Sequence, residues 1–144
     1  MPRVPDTTLS PADARARVEA QQWYHTIDLG QGLVTAGWFD TRPTTSIVPM
    51  PASLDGKRCL DVGTWDGFWA FEMERRGAAS VTAIDVDDQD RWDWPPRIRM
   101  ARSNSGRDAV EAFKQEAAGF RIAHEVLGSG VERRDFSVYD LSPE

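Results

Sequence analysis

The spacing of apolar positions changes several times along the chain, and each change marks an element. Ser10-Pro-Ala-Asp13 reads as an N-cap, a proline at the first helical position and an acid in the first turn, predicting a helix from Pro11 to about Trp23. Between Tyr24 and Asp40 the apolar runs shorten to Thr26-Ile-Asp-Leu and Leu33-Val-Thr-Ala, parted by Gly30-Gln-Gly, which predicts a hairpin. A loop carrying Pro43, Pro49 and Pro51 follows. Lys57 to Val62 is then a short apolar strand ending at Gly63, and Phe68 to Arg76 a helix stopped by Gly77. Ser80 to Val86 is a second strand. Asp87 to Ser105 reads as a loop-like insertion with Trp92, Trp94, Pro95 and Pro96. Val110, Phe113, Ala117, Phe120, Ala123 and Leu127 share one helical face, with Ser105 placed to cap that helix and Gly128 to end it. Val131 to Val138 is a third strand.

Strand, helix, strand, helix and strand with apolar strands predict an α/β fold, the first half of a Rossmann-like, doubly wound parallel sheet. The expected organisation is an N-terminal helix and hairpin extension over residues 1–52 and a cofactor-binding half-domain over residues 53–144.

Composition narrows the possible chemistry. A chain of 144 residues is one domain's worth, with 40% apolar and 28% charged residues, as suits a globular protein. The net charge of −6 argues against general coating of nucleic acid. Cys59 has no cysteine partner, and His25 and His124 are the two histidines, so disulfides and a metal centre have little to be built from. The N-terminus lacks an apolar signal core and no long apolar run follows, so no membrane partner is expected and the chain reads as cytoplasmic.

The chemistry-bearing stretch is Asp61-Val-Gly-Thr-Trp-Asp-Gly67, where a strand turns into a helix. Glycines there let backbone and ligand approach closely, and the helix N-terminus faces the ligand. Asp85 ends the next strand, where an acid accepts hydrogen bonds from the ribose hydroxyls of an adenosine-containing ligand. The dinucleotide fingerprint fails, because Trp65 and Phe68 stand where it needs its second and third glycines. The phosphate-loop pattern fails for want of GK[ST].

What remains, D-x-G-x-x-x-G, resembles the first motif of class I S-adenosylmethionine-dependent methyltransferases. By that resemblance Asp61, Gly63, Thr64, Trp65 and Gly67 line the methionine end of S-adenosyl-L-methionine, Asp85 and Val86 hold the ribose, and Ser137 and Val138 lie beside adenine, with Asp140 as a shifted alternative. Three stretches beginning at Trp23-Tyr-His-Thr, Thr35-Ala-Gly-Trp and Leu60-Asp-Val-Gly are similar to methyltransferases of the tRNA wobble-uridine type, the likeness covering about residues 22–144. The resemblance implies a methyltransferase whose acceptor is a tRNA wobble uridine or a small molecule. Lys57 and Lys114 are the only lysines, so nothing obvious would hold the extra carboxylate of a carboxymethyl cofactor. The alternative is a non-catalytic or incomplete Rossmann-like nucleotide-binding module.

Plainer readings compete at several positions. Cys59, inside a strand, reads as packing, and His124 as a surface residue favoured by a helix C-terminus. His25 reads as packing near the cleft. Trp92 and Trp94 read as a lid or plug, and Arg91, Arg97, Arg99, Arg102 and Arg107 as a solvated loop rather than an anion site. No catalytic base is evident. The sequence stops at Ser142-Pro-Glu144, after the third strand, where such enzymes continue, so it reads as an N-terminal fragment. Strand 57–62 would then be an open edge, prone to self-association, and the chain alone is expected to transfer no methyl group.

Overall fold

The computed structural model describes residues 9–97 and 117–143. Ser10 caps α1 (Pro11–Ala20) by accepting the Asp13 amide at 3.1 Å. The helix ends earlier than its sequence predicts because Trp23 leaves it. The Trp23 indole is 1% exposed and donates to the Val18 carbonyl at 2.9 Å, folding the chain back under the last turn of α1. Ala14 and Val18 are the buried positions of α1.

Trp23 instead opens β1 (Trp23–His25), which pairs with β2 (Gly37–Phe39) in parallel, Trp23 opposite Gly37 and His25 opposite Phe39. The expected hairpin survives only at its tip, where Gly30, Gln31 and Gly32 take positive φ and Asp28 bridges Val34 antiparallel. Thr35 stops the antiparallel ladder. Its buried hydroxyl accepts the Ile27 amide and donates to the His25 carbonyl, both at 2.7 Å, where strand pairing would otherwise continue. Gly37 then lies so close to His25 that a Cβ would stand 2.0 Å from its carbonyl carbon.

The main sheet comprises β3 (Arg58–Val62), β4 (Ser80–Asp85) and β5 (Glu132–Asp135), all parallel, in the order β3-β4-β5. β3 is followed by α2 (Phe68–Arg75), and β5 is preceded by α3 (Ala118–Leu127). The fold is thus mixed α/β with parallel strands. The expectation of uniformly apolar strands needs correcting. Only the central β4 is largely buried, through Val81, Ala83 and Ile84, while β5 reads Glu-Arg-Arg-Asp and β3 alternates. A strand paired on one side only has little cover to demand an apolar run. Gly77 and Gly128, both at positive φ, end α2 and α3 as their sequence positions suggest. Val110, Phe113 and Ser105 lie outside the described residues.

One core joins these pieces. Val18, Trp23, Ile27 and Leu29 from the N-terminal stretch pack in the same cluster as Phe68, Phe71, Val81, Phe120 and Val131. Polar staples finish it. Glu72 is buried on α2 and pairs with Arg75 and Arg76, and the Arg76 guanidinium donates to the Thr45, Met50 and Pro51 carbonyls, tying down the proline loop. Glu74 accepts from Ser129 and from the Gly130 amide, fixing the entry into β5.

Candidate functional site

The carboxyl ends of the three parallel strands converge, and a pocket of about 310 Å³ opens there. Gly63 and Trp65 from the turn after β3, Asp85 and Val86 from the end of β4, and Ser137 and Val138 beyond β5 all line it, with Trp92 and Tyr139 among the remaining walls. Its volume is at the lower end of the range for small-ligand sites. Asp61, Thr64 and Gly67 do not line it; they lie around the same turn.

The turn is held by Asp85. One carboxylate oxygen accepts the Trp65 amide at 2.7 Å and the other the Val86 amide at 2.8 Å. Trp65 takes φ +50°, a left-handed conformation that an indole-bearing residue adopts only when its surroundings hold it there. Asp85 supplies one restraint. The other is Tyr24, whose ring stacks on Trp65 with centroids 4.7 Å apart. Trp92 flanks the indole at 6.1 Å and anchors itself by donating Nε1–H to the Val86 carbonyl at 2.6 Å. Trp92 and Trp94 stack at 5.0 Å, and Trp92 builds a wall of the pocket rather than a plug in the core.

Asp61 ends up 8% exposed, and its Oδ2 is buried with no hydrogen-bond partner. Burial is the main reason the Asp61 carboxyl titrates above its ordinary range; hydrogen bonding from the Thr64 hydroxyl and the Ala70 amide, and the nearby His25, offset part of that, and the Asp85 charge adds to it. The buried Oδ2 makes a receptive place for a ligand with hydrogen-bond donors.

Gly67 has a different task from the ligand contact expected of it. At φ +94° it precedes α2, and a Cβ there would stand 2.4 Å from Phe71 and 2.8 Å from Phe120. It is small so that two core rings can close over the helix start.

Asp66 is the residue that sequence reasoning passed over. It is almost fully buried, and its Oδ2 accepts the Tyr24 and His25 amides at 2.9 and 2.8 Å, while Oδ1 meets His25 Nδ1 at 2.5 Å. An acid set between two glycine-flanked turn positions and a lone upstream histidine were the available signals; nothing in linear spacing says that they meet.

Other charged groups near the pocket are used in pairs. Arg133 grips Asp87 through two hydrogen bonds at 2.5 and 3.0 Å, and Arg91 pairs with Asp135 at 3.5 Å. Arg99, Arg102 and Arg107 lie outside the described residues. Ser137 accepts the Tyr139 amide and Tyr139 reaches Asp93, whereas Asp140 stays clear of the pocket. His124 is half-buried against the Val131 carbonyl at 3.1 Å, not the surface residue expected. A larger cavity of about 600 Å³ lies between the Gly30 turn, the proline loop and α2. Its charged walls are already matched, Glu72 to two arginines, Glu74 to the β5 entry and Arg42 to Asp40, so it offers less chemistry than the smaller pocket. Among the described residues no His, Cys, Asp and Glu cluster suits a metal ion, and no helix is long and apolar enough to cross a membrane.

Comparison with known proteins agrees in kind with a methyltransferase. The chain is similar to the ribosomal protein L11 methyltransferase of Symbiobacterium thermophilum, 45% identical over 56 residues. That stretch is 39% of this chain and 16% of the relative's length. The partial likeness is therefore to a methyltransferase in general, and it does not extend to the tRNA wobble-uridine type that the sequence motifs suggested. No family model matches the chain.

Proposed function

We propose that this chain carries the cofactor-binding half of a class I S-adenosylmethionine-dependent methyltransferase, a Rossmann-like doubly wound unit over residues 53–144 with a helix and hairpin extension over residues 1–52. The observation that carries the reading is the shared pocket, in which the turn after β3, the Asp85 carboxylate and the Ser137-Val138 segment meet. The donor set suits the cofactor. Asp61, buried in the turn beside the pocket, matches the ammonium of its amino-acid end, and Asp85, in the pocket wall, matches the ribose hydroxyls. Trp65 and Trp92 offer apolar walls to the nucleoside. S-adenosylmethionine supplies an electrophilic methyl group; this chain's contribution is to bind it and fix its direction. The acceptor is a nucleophile brought from outside the pocket, on a tRNA base, a ribosomal protein or a small molecule.

Calorimetry with S-adenosylhomocysteine and with NAD tests the proposal. Binding of the first without the second is expected. NAD binding in its place would favour a nucleotide-binding module of another kind, and binding of neither would overturn the cofactor reading.

A further inference from the structure

The His25–Asp66 pair is more than the N-terminal stretch needs to stay attached. Asp66 already secures that backbone through Oδ2, which takes both the Tyr24 and the His25 amide. Its second oxygen serves the His25 ring alone, at 2.5 Å from Nδ1. An ionised carboxylate can only accept, so the neutral imidazole must carry its proton on Nδ1 and present a lone pair at Nε2. Among the described residues nothing hydrogen-bonds Nε2, and the side chain keeps 11% of its surface exposed. Phe68, stacked on one face at 5.3 Å, and Tyr24, edge-on at 4.7 Å, hold the ring in place. A carboxylate that orients a histidine and leaves its far nitrogen bare is the arrangement of a general base.

Its position suits that task. His25 does not line the 310 Å³ pocket. It stands behind Tyr24, whose ring stacks on the pocket residue Trp65, on the flank of the turn that joins Asp61 to α2. A cofactor would fill the pocket, and an acceptor would have to approach from such a flank.

We propose that His25 is the proton acceptor for the nucleophile in methyl transfer, with Asp66 as its positioning residue; this rests on the methyltransferase reading above. The acceptor's X–H group gains the methyl as the carbon–sulfur bond breaks, the bonding pair stays on sulfur as a neutral thioether, and the X–H proton passes to Nε2. The imidazolium formed is balanced by the Asp66 carboxylate.

The test needs no acceptor. An unprotonated imidazole nitrogen attacks diethyl pyrocarbonate, and mass spectrometry separates modification at His25 from that at His124, which serves as the internal control. His25 should react in the wild type and stay reactive with saturating S-adenosylhomocysteine, which would fill the pocket and leave that flank open. In Asp66→Asn the amide would donate to Nδ1 and move the proton to Nε2, so His25 should become unreactive while circular dichroism and S-adenosylhomocysteine affinity persist. Nitrogen-15 chemical shifts of the wild-type ring give the same tautomer directly and keep the idea testable if the variant misfolds. A wild-type His25 that does not react, binding of S-adenosylhomocysteine that blocks its reaction, or a proton found on Nε2 of the neutral wild-type ring would overturn the assignment. Absence of S-adenosylhomocysteine binding would instead bring down the methyltransferase reading and this inference with it.

Discussion

Asp85 accepts the backbone amide of Trp65 at 2.7 Å, so the last residue of β4 shapes the turn that follows β3. The bond crosses between neighbouring parallel strands and holds Trp65 at a positive φ, with its ring on Tyr24 and against the pocket. The Val86 amide takes the other oxygen, so the carboxylate is oriented before any ligand arrives. Preorganisation of this kind lowers the ordering cost of binding.

Asp85→Ala should accordingly weaken S-adenosylhomocysteine binding by about 1–3 kcal/mol, the usual cost of stranding buried hydrogen-bond partners. Asp85→Asn, which can still accept one amide, should fall between. Titration calorimetry on the three proteins reads this directly, and equal affinities would remove Asp85 from the site.

The Asp61 carboxyl titrates above its ordinary value of 3.8, chiefly because it is buried. Between that value and its raised one, the folded chain holds a proton that the unfolded chain has released. Stability should therefore fall as pH rises through that window, and the loss should persist at neutral pH. Asp61→Asn should flatten the dependence of melting temperature on pH above about pH 4 and melt higher than wild type at pH 7. The same variant should lose S-adenosylhomocysteine affinity, since a neutral amide cannot match an ammonium. Superimposable melting curves for the two proteins would show that Asp61 carries no burial penalty.

Gly67→Val should damage the fold before it damages binding. The added carbons meet Phe71 and Phe120 at less than van der Waals distance, and the backbone there is left-handed. Overpacking costs about 1–3 kcal/mol and the left-handed backbone about 1–2 more for a residue with a Cβ. A clear drop in melting temperature, measured by circular dichroism without ligand, is expected. A wild-type melting curve with binding alone abolished would restore the ligand contact that the motif suggests for Gly67.

Local signals carried much of the fold and several of the residues that line the pocket. Ser10, Pro11, Gly77 and Gly128 act through their own backbone conformations, so helix boundaries governed by them can be read one residue at a time. Trp23 could not be read that way. Its helical spacing is outweighed by burial of its ring and by one hydrogen bond back to Val18. The parallel pairing of β1 with β2 is likewise invisible locally, because Thr35 replaces a ladder bond with its hydroxyl. Gly63, Trp65, Asp85 and Val86 follow from strand ends, and strand ends are legible. The Asp66–His25 contact depends on how two segments far apart in sequence fold together, and spacing holds no trace of it.

The β3 edge provides the last prediction. Among the described residues β3 pairs with β4 alone, and its outward residues Leu60 and Val62 are 44% and 50% exposed. The strand has no proline and no bulge to discourage a neighbour, so its free amides and carbonyls form a template for another strand. The 144-residue chain should therefore associate as its concentration rises, which light scattering coupled to size exclusion would record. Replacing Leu60 with lysine places a charge along that edge and should shift the population towards monomer without lowering S-adenosylhomocysteine affinity, because Leu60 lies off the pocket. A wild-type chain that stays monomeric at high concentration would mean that this edge is covered in solution, and the variant would then change nothing but net charge.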